Sequence, residues 1–288
     1  MPIGVPRAAG YNSLPNGNFL PEIWSRKLQL RFYAKTVIGS LLNHDWEGEI
    51  KGKGSKVKIR VKPTIVIQDY PVGGSINYQD LADDYIELNI DKAKLAAFKV
   101  DDVDVAQADI NIINEATMDA AEKMKIEIDT QVLASIYTSA TSQIPDQQVT
   151  KSNVIDWILG AGTKLDELNI PDANRFIILP PWITELIKSS DLKDASLSGD
   201  GVSPLRNGRV GVVDRFNVHQ SNNLAVTASG VNWNCIAGTR DFGTFASQFT
   251  KTETLRLQDT MGDGIRSLKV YGFGVTHPDS GVHMIAHK

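Results

Sequence analysis

The chain has 288 residues, 42% of them apolar, and a formal net charge of -4. That length gives one large domain or two intimate ones, with apolar mass enough for a real core, which excludes wholesale disorder. The mildly acidic balance argues against a dedicated nucleic-acid binder, and a single cysteine, Cys235, excludes an internal disulfide framework.

Residues 1–20 form an arm whose Pro2, Pro6, Pro15, Gly4, Gly10 and Gly17 prevent regular structure. It has no apolar run of the signal-peptide kind, and no stretch of the chain reaches the roughly 20 apolar residues that span a bilayer. The expectation is a soluble protein kept in a cytoplasm. A helix is expected over residues 21–42, PEIWSRKLQLRFYAKTVIGSLL, with Pro21 in its first turn. Ile23, Trp24, Leu28, Phe32 and Val37 mark its apolar side, and a break on the way is admitted.

From residue 56 to 62 the sequence alternates strictly: Lys56, Val57, Lys58, Ile59, Arg60, Val61, Lys62. Alternation puts the bases on one face of a strand and the aliphatics on the other. The strand is expected to reach about Tyr70, bent or at an edge because of Pro63. PVGGS turns the chain, and YIELNID over 85–91 returns with Glu87, Asn89 and Asp91 on its polar face. Opposite charges across an antiparallel pair contribute roughly 0.2–1 kcal/mol each. A two-stranded ribbon is marginal alone in water, so this one calls for a partner such as a neighbouring subunit.

A long helix is expected over 105–137, its apolar stripe being Ile110, Ile113, Thr117, Ala120, Met124, Ile128 and Val132. Glu122, Lys123, Lys125, Glu127 and Asp129 are placed on or beside the other face, and Asp101, Asp102 and Asp104 at its positive end. TSQIPDQQVT reads as a linker. Ser152 is taken as the cap of a helix, VIDWILGAGTKLDEL, that stops before Pro171. RFIIL is a buried strand, and PPWITELIKSSDL a short helix with its prolines first. Residues 195–208 are a polar loop. Two short strands lie in GRVGVVDRFNVHQSNNL, another over 234–238, and strand texture fills 250–288. The whole reads as α+β.

No catalytic motif stands out: there is no Walker A loop, HExxH or GxSxG. Cys235 reads as a buried structural thiol. His283 and His287 lack a visible third ligand, and each GDG triplet reads as a turn. The basic ladder lacks the interleaved aromatics of a single-strand reader. Contact with an acidic surface of another subunit is the favoured reading, ahead of edge protection.

The order of parts resembles the major capsid protein of tailed double-stranded-DNA bacteriophages, whose fold is shared with encapsulins and the herpesvirus capsid floor. RFIILPPWITELIKSSDL is similar to the family's strand, proline and short helix. GRVGVVDRFNVHQSNNL is similar to its strand–turn–strand ending at Ser221, Asn222, Asn223 and Leu224. FASQFTKTETLRLQDTMGDGIRSLKVYGFGV resembles its closing strands, with the Tyr271–Gly272 pair.

The resemblance implies an N-terminal arm and first helix over 1–45, an extended hairpin loop over 46–82 and a peripheral lobe with spine helix over 83–144. An axial lobe over 145–249 and return strands over 250–288 complete it. It implies a non-enzymatic shell protein of the virion, assembling in a bacterial cytoplasm as hexamers and pentamers and expanding as the genome enters. No cofactor, metal or membrane is implied. The implied partners are a separate scaffolding protein, a portal protein and DNA contacted non-specifically, and a decoration protein is admitted. Candidate subunit contacts are Trp24, Lys56, Lys58, Arg60, Lys62, Glu87 and Asp91. With only a short arm ahead of the shell-forming part, no large N-terminal cleavage is expected, and no motif points to a Lys–Asn cross-link. The alternatives are an encapsulin shell and, further off, an oligomeric enzyme or binding protein with its site in 152–249.

Overall fold

Three β-sheets and one long helix organise the protein, here a computed structural model that describes residues 33–47, 56–70, 72–74, 78–81, 84–102, 112–190, 211–228, 230–258 and 260–288. The helix expected over 21–42 is reduced, in its described part, to α1, Ile38–Leu41. Residues 33–37 are not helical. The cause is tertiary: the amides of Val37 and Ile38 both donate to the Asp129 carboxylate, each at 2.9 Å, which starts the helix there.

The ribbon strand is shorter than its sequence pattern. β1 is Lys56–Arg60 and pairs antiparallel with β2, Tyr85–Asn89; residues 61–70 are irregular and exposed, with Pro63 just past the strand end. Next comes a strand that the sequence pattern did not suggest: β3, Lys92–Asp101. Its Ala- and Lys-rich composition favours a helix, but ten paired positions against a later strand override that preference. Asp101 thus ends a strand, whereas Asp102 is helical, at the start expected for it, and also accepts from Arg256 at 2.7 Å. Asp104 lies outside the described residues.

The long helix is α2, Ile112–Ile136, closed by a 3-10 turn over Tyr137–Ser139. Its stripe faces inward as expected, half-buried at Ile113, Thr117, Ala120 and Met124 and fully buried at Ile128 and Val132; Ile110 lies outside the described residues. Asp129, expected on the polar side, is buried. It falls at helical spacing with Val132, Leu133 and Ile136, so the apolar face carries it inward.

The expected linker is β4, Ser142–Gln148, which pairs in parallel with the last strand of the chain. Pro145 sits where the register shifts, at a bulge on an edge strand, where a missing amide is tolerated. Asn153, not Ser152, stands at the N-cap of α3, Val154–Glu167. β5, Arg175–Leu179, is buried throughout and runs into α4, Pro181–Ser189. There follow β6, Val212–Val213; β7, Phe216–Gln220; β8, Val226–Thr227; and β9, Asn232–Thr239. Two long strands come next, β10, Gly243–Arg256, and β11, Gly262–Val275, and the last is β12, Gly281–His287.

β10, β11 and β3 form one sheet, in that order. The order β4-β12-β9-β5-β7-β6, with β8 beside β9, forms a seven-stranded sheet. β12 therefore leaves the other closing strands and joins the sheet that carries β5 and β9. One continuous core joins the buried end of α2 to this sheet through Val37, Leu133, Ile177 and Met284. The hairpin of β1 and β2 stands apart from that core on a small cluster of its own, Ile59, Leu88, Ile90 and Ala246.

Candidate subunit interface

Register sets the chemistry of the hairpin. Lys58 lies opposite Glu87, Arg60 opposite Tyr85 and Lys56 opposite Asn89, so the basic and acidic side chains share one face. Lys56 Nζ reaches diagonally to Glu87 at 3.0 Å, and Lys58 Nζ lies 3.9 Å from the centre of the Tyr85 ring. Val57 and Ile59 occupy the other face and turn toward the small cluster. Arg60, Lys62 and Asp91 are exposed and have no ion-pair partner among the described residues. Trp24 lies outside the described residues.

The hydrogen bond from Lys56 holds the Glu87 carboxyl below its ordinary value of 4.5. A depressed carboxyl contributes stability above its unfolded value and loses it as pH falls through the lower folded one. A Glu87→Gln variant should therefore show its full deficit above about pH 4.5 and converge on the wild type as pH falls through the lowered folded value. Urea titrations of the unassembled subunit at pH 3 and pH 7 check this; an equal deficit at both would contradict it.

Beyond β1 the chain exposes an apolar run that a monomer has no use for. Ile65, Val66, Ile67 and Tyr70 are all exposed, Ile67 to 94%, and across the turn Val72 and Tyr78 are exposed to 96% and 90%. Contiguous apolar surface of this kind marks an interaction site. Gln79 holds the two limbs of the loop together, accepting from the Val66 amide at 3.0 Å and donating to the Thr64 carbonyl at 2.9 Å.

The hairpin is rooted by contacts that the sequence does not advertise. The Glu47 carboxylate accepts from the Ser247 amide at 3.1 Å and from its hydroxyl, at the point where β10 shifts register. Tyr271 is fully buried, its ring stacked 5.8 Å from Phe245 and its hydroxyl donating to Gln131 of α2. Gly272 beside it lets β2 cross: a Cβ there would collide with the Asn89 carbonyl. The Tyr271–Gly272 pair thus has a physical role, a buried anchor next to a close backbone crossing. Asp129 ties three parts together, accepting from Val37 and Ile38 on one oxygen and from Asn223 Nδ2 at 2.7 Å on the other.

The remaining sequence candidates fall elsewhere. Cys235 is fully buried in β9, and burial pushes its thiol well up, away from reactivity. His283 accompanies Asn234 at 2.9 Å, and His287 pairs with Asp146 at 2.8 Å. Asn234 donates its amide to the Ala225 carbonyl, so its oxygen faces the imidazole and His283 Nε2 carries the proton. Among the described residues no group of three or more His, Cys, Asp or Glu is placed to hold a metal, and no helix is long and apolar enough to cross a membrane. Asp263 of the second GDG triplet opens β11 beside Arg256, and the first triplet lies outside the described residues.

A family model described as phage capsid protein matches residues 88–284. A solved structure from Mycobacterium phage Che8 is 28% identical with a TM-score of 0.83, covering 93% of this chain and 97% of that one. The capsid structure of cyanophage P-SCSP1u shares the fold at 14% identity and a TM-score of 0.77, covering 99% and 100%. The mature capsid of bacteriophage PhiM1 does so at 15% and 0.67, covering 95% and 98%. A search of curated proteins finds no match. With a phage capsid model matching well over half its length, and with that fold along nearly all of it, the chain belongs to the phage capsid protein family, as a major capsid protein that forms the icosahedral virion shell of a tailed phage.

Proposed function

We propose that the hairpin and its apolar loop are the part of this capsid subunit that grips its neighbours. The observation that carries the reading is the exposure of Ile65, Val66, Ile67, Tyr70, Val72 and Tyr78, apolar side chains that a free subunit leaves in water. Lys56, Lys58, Arg60 and Lys62 add a basic face that meets acids of an adjacent subunit, with Glu87 and Asp91 the acidic counterpart on the same ribbon. Hexamers and pentamers of one chain are the units. The seven-stranded sheet serves as the lobe toward the capsomer axis, and the β10-β11-β3 sheet with α2 as the peripheral lobe. A separate scaffolding protein directs assembly, a portal occupies one vertex, and the packaged DNA is contacted without sequence preference. The weak net charge of -4 suits a lining that does not hold the genome.

A triple variant, Ile65→Ser, Ile67→Ser and Tyr70→Ser, tests the grip. Because these side chains are exposed, the unassembled subunit should unfold within about 0.5 kcal/mol of the wild type. Shell yield by sedimentation should fall by about tenfold or more, since each buried apolar side chain lost from a contact removes about 1.5 kcal/mol or more. Wild-type shell yield from the triple variant would show that the loop does not carry the contact.

A further inference from the structure

A groove separates β3 from the first half of α2. Leu95, Ala97 and Phe98 line it on the strand side, and Ala116, Ala120 and Met124 on the helix side, around about 530 Å³. Leu95 is 63% exposed. The charges on the rim neutralise one another, Lys94 with Glu127 at 2.8 Å and Lys123 with Asp119 at 2.8 Å. The rim thus carries balanced charge around an apolar floor that suits apolar side chains.

The course of the chain supplies an occupant. The Tyr33 hydroxyl donates to Asp119 on that rim at 2.7 Å, and Val37 then binds Asp129 further along α2. Tyr33, the first described residue, is thus tied to the edge of the groove. Residues 21–32 read PEIWSRKLQLRF, with Ile23, Trp24, Leu28 and Phe32 as apolar positions. As a helix this segment is about 18 Å long, and the groove from Ala116 to Glu127 runs about 16 Å along α2. We propose that residues 21–32 of the same chain seat in this groove and that Trp24 is their main apolar contact. A directly tethered segment has an effective concentration in about the millimolar range, which favours it over the same segment of another copy. Trp24 is then an intramolecular anchor, contrary to the sequence expectation of a subunit contact, and the inference stands independently of the hairpin's role.

Photo-cross-linking of the full-length chain tests it, with p-benzoylphenylalanine in place of Trp24. The expected product runs as a monomer on a denaturing gel, and its cross-linked peptides map to residues 94–98 or 116–127. A cross-linked dimer, peptides from elsewhere in the chain, or no cross-link would overturn the proposal. Ala120→Trp fills the groove and supplies an independent readout. Trypsin should cut at Arg26 and Lys27 about tenfold or more faster in this variant, because the segment is displaced into its open state. Equal cutting rates in variant and wild type would also overturn it.

Discussion

Replacing Asp129 by alanine is expected to destabilise the unassembled subunit by about 3–5 kcal/mol, among the largest single-residue losses in this fold. The carboxylate is 2% exposed and satisfies three donors from two distant parts of the chain, the amides of Val37 and Ile38 and the side chain of Asn223. Truncation leaves the two buried amides without partners and Asn223 Nδ2 with only the long contact to the Lys35 carbonyl. Asp129→Asn should also be costly, for a sharper reason: one amide face still accepts from Val37 and Ile38, but the other then presents donors to the donors of Asn223. Adding Asn223→Asp to Asp129→Asn reverses that polarity and should recover a large part of the loss, less whatever the new carboxylate suffers near the Lys35 carbonyl, which Asn223 Nδ2 now approaches at 3.4 Å. Urea unfolding of the three variants decides it. A double variant no better than the single ones would mean that the network stabilises through packing rather than through hydrogen bonds.

Two glycines two residues apart in β11 should behave differently. Gly272→Ala is expected to cost about 3 kcal/mol, because the new Cβ meets backbone and cannot be relieved by a rotamer change. The Asn89 carbonyl stands in its place, with Asn89 C and Ile90 Cα both at 2.9 Å. Gly274→Ala meets only Leu88 Cδ1 at 3.5 Å, an ordinary contact, and should be neutral within about 1 kcal/mol. Since Gly272 passes under the end of β2, its variant should also loosen the hairpin and raise proteolysis within residues 56–81 ahead of global unfolding. Similar stability in the two variants would mean that β2 does not cross β11 as described.

The parts that repeat locally were legible in the sequence. The alternation from Lys56 and the return strand YIELN gave the hairpin and its charged face, the helical spacing gave α2, and RFIIL followed by two prolines gave β5 and α4. What failed were segments whose conformation is imposed from a distance. β3 is made of helix-favouring residues and exists because β11 pairs with it along ten positions. β4 is polar and contains Pro145, and it is a strand because β12 lies beside it. Residues 33–37 of the helix expected over 21–42 are not helical, and α1 begins only at Ile38, where a side chain more than 90 positions away takes the amides of Val37 and Ile38. The groups that root the hairpin, Glu47 with Ser247 and Gly272 under Asn89, carry no local signal, since their partners are set only by the closed fold. Asp129 could have been found: it shares the helical spacing of Val132, Leu133 and Ile136, and an acid on an apolar stripe announces a buried partner.

The most direct test of the central claim, that this chain is a shell-forming subunit whose exposed loop is completed by its neighbours, is electron microscopy of the purified protein expressed alone and together with a scaffolding protein. Closed shells of uniform size are expected in at least one of the two, and the condition in which they form tells whether assembly is autonomous. A monodisperse monomer or dimer in both would contradict the account and leave the exposed run around Ile67 without a partner.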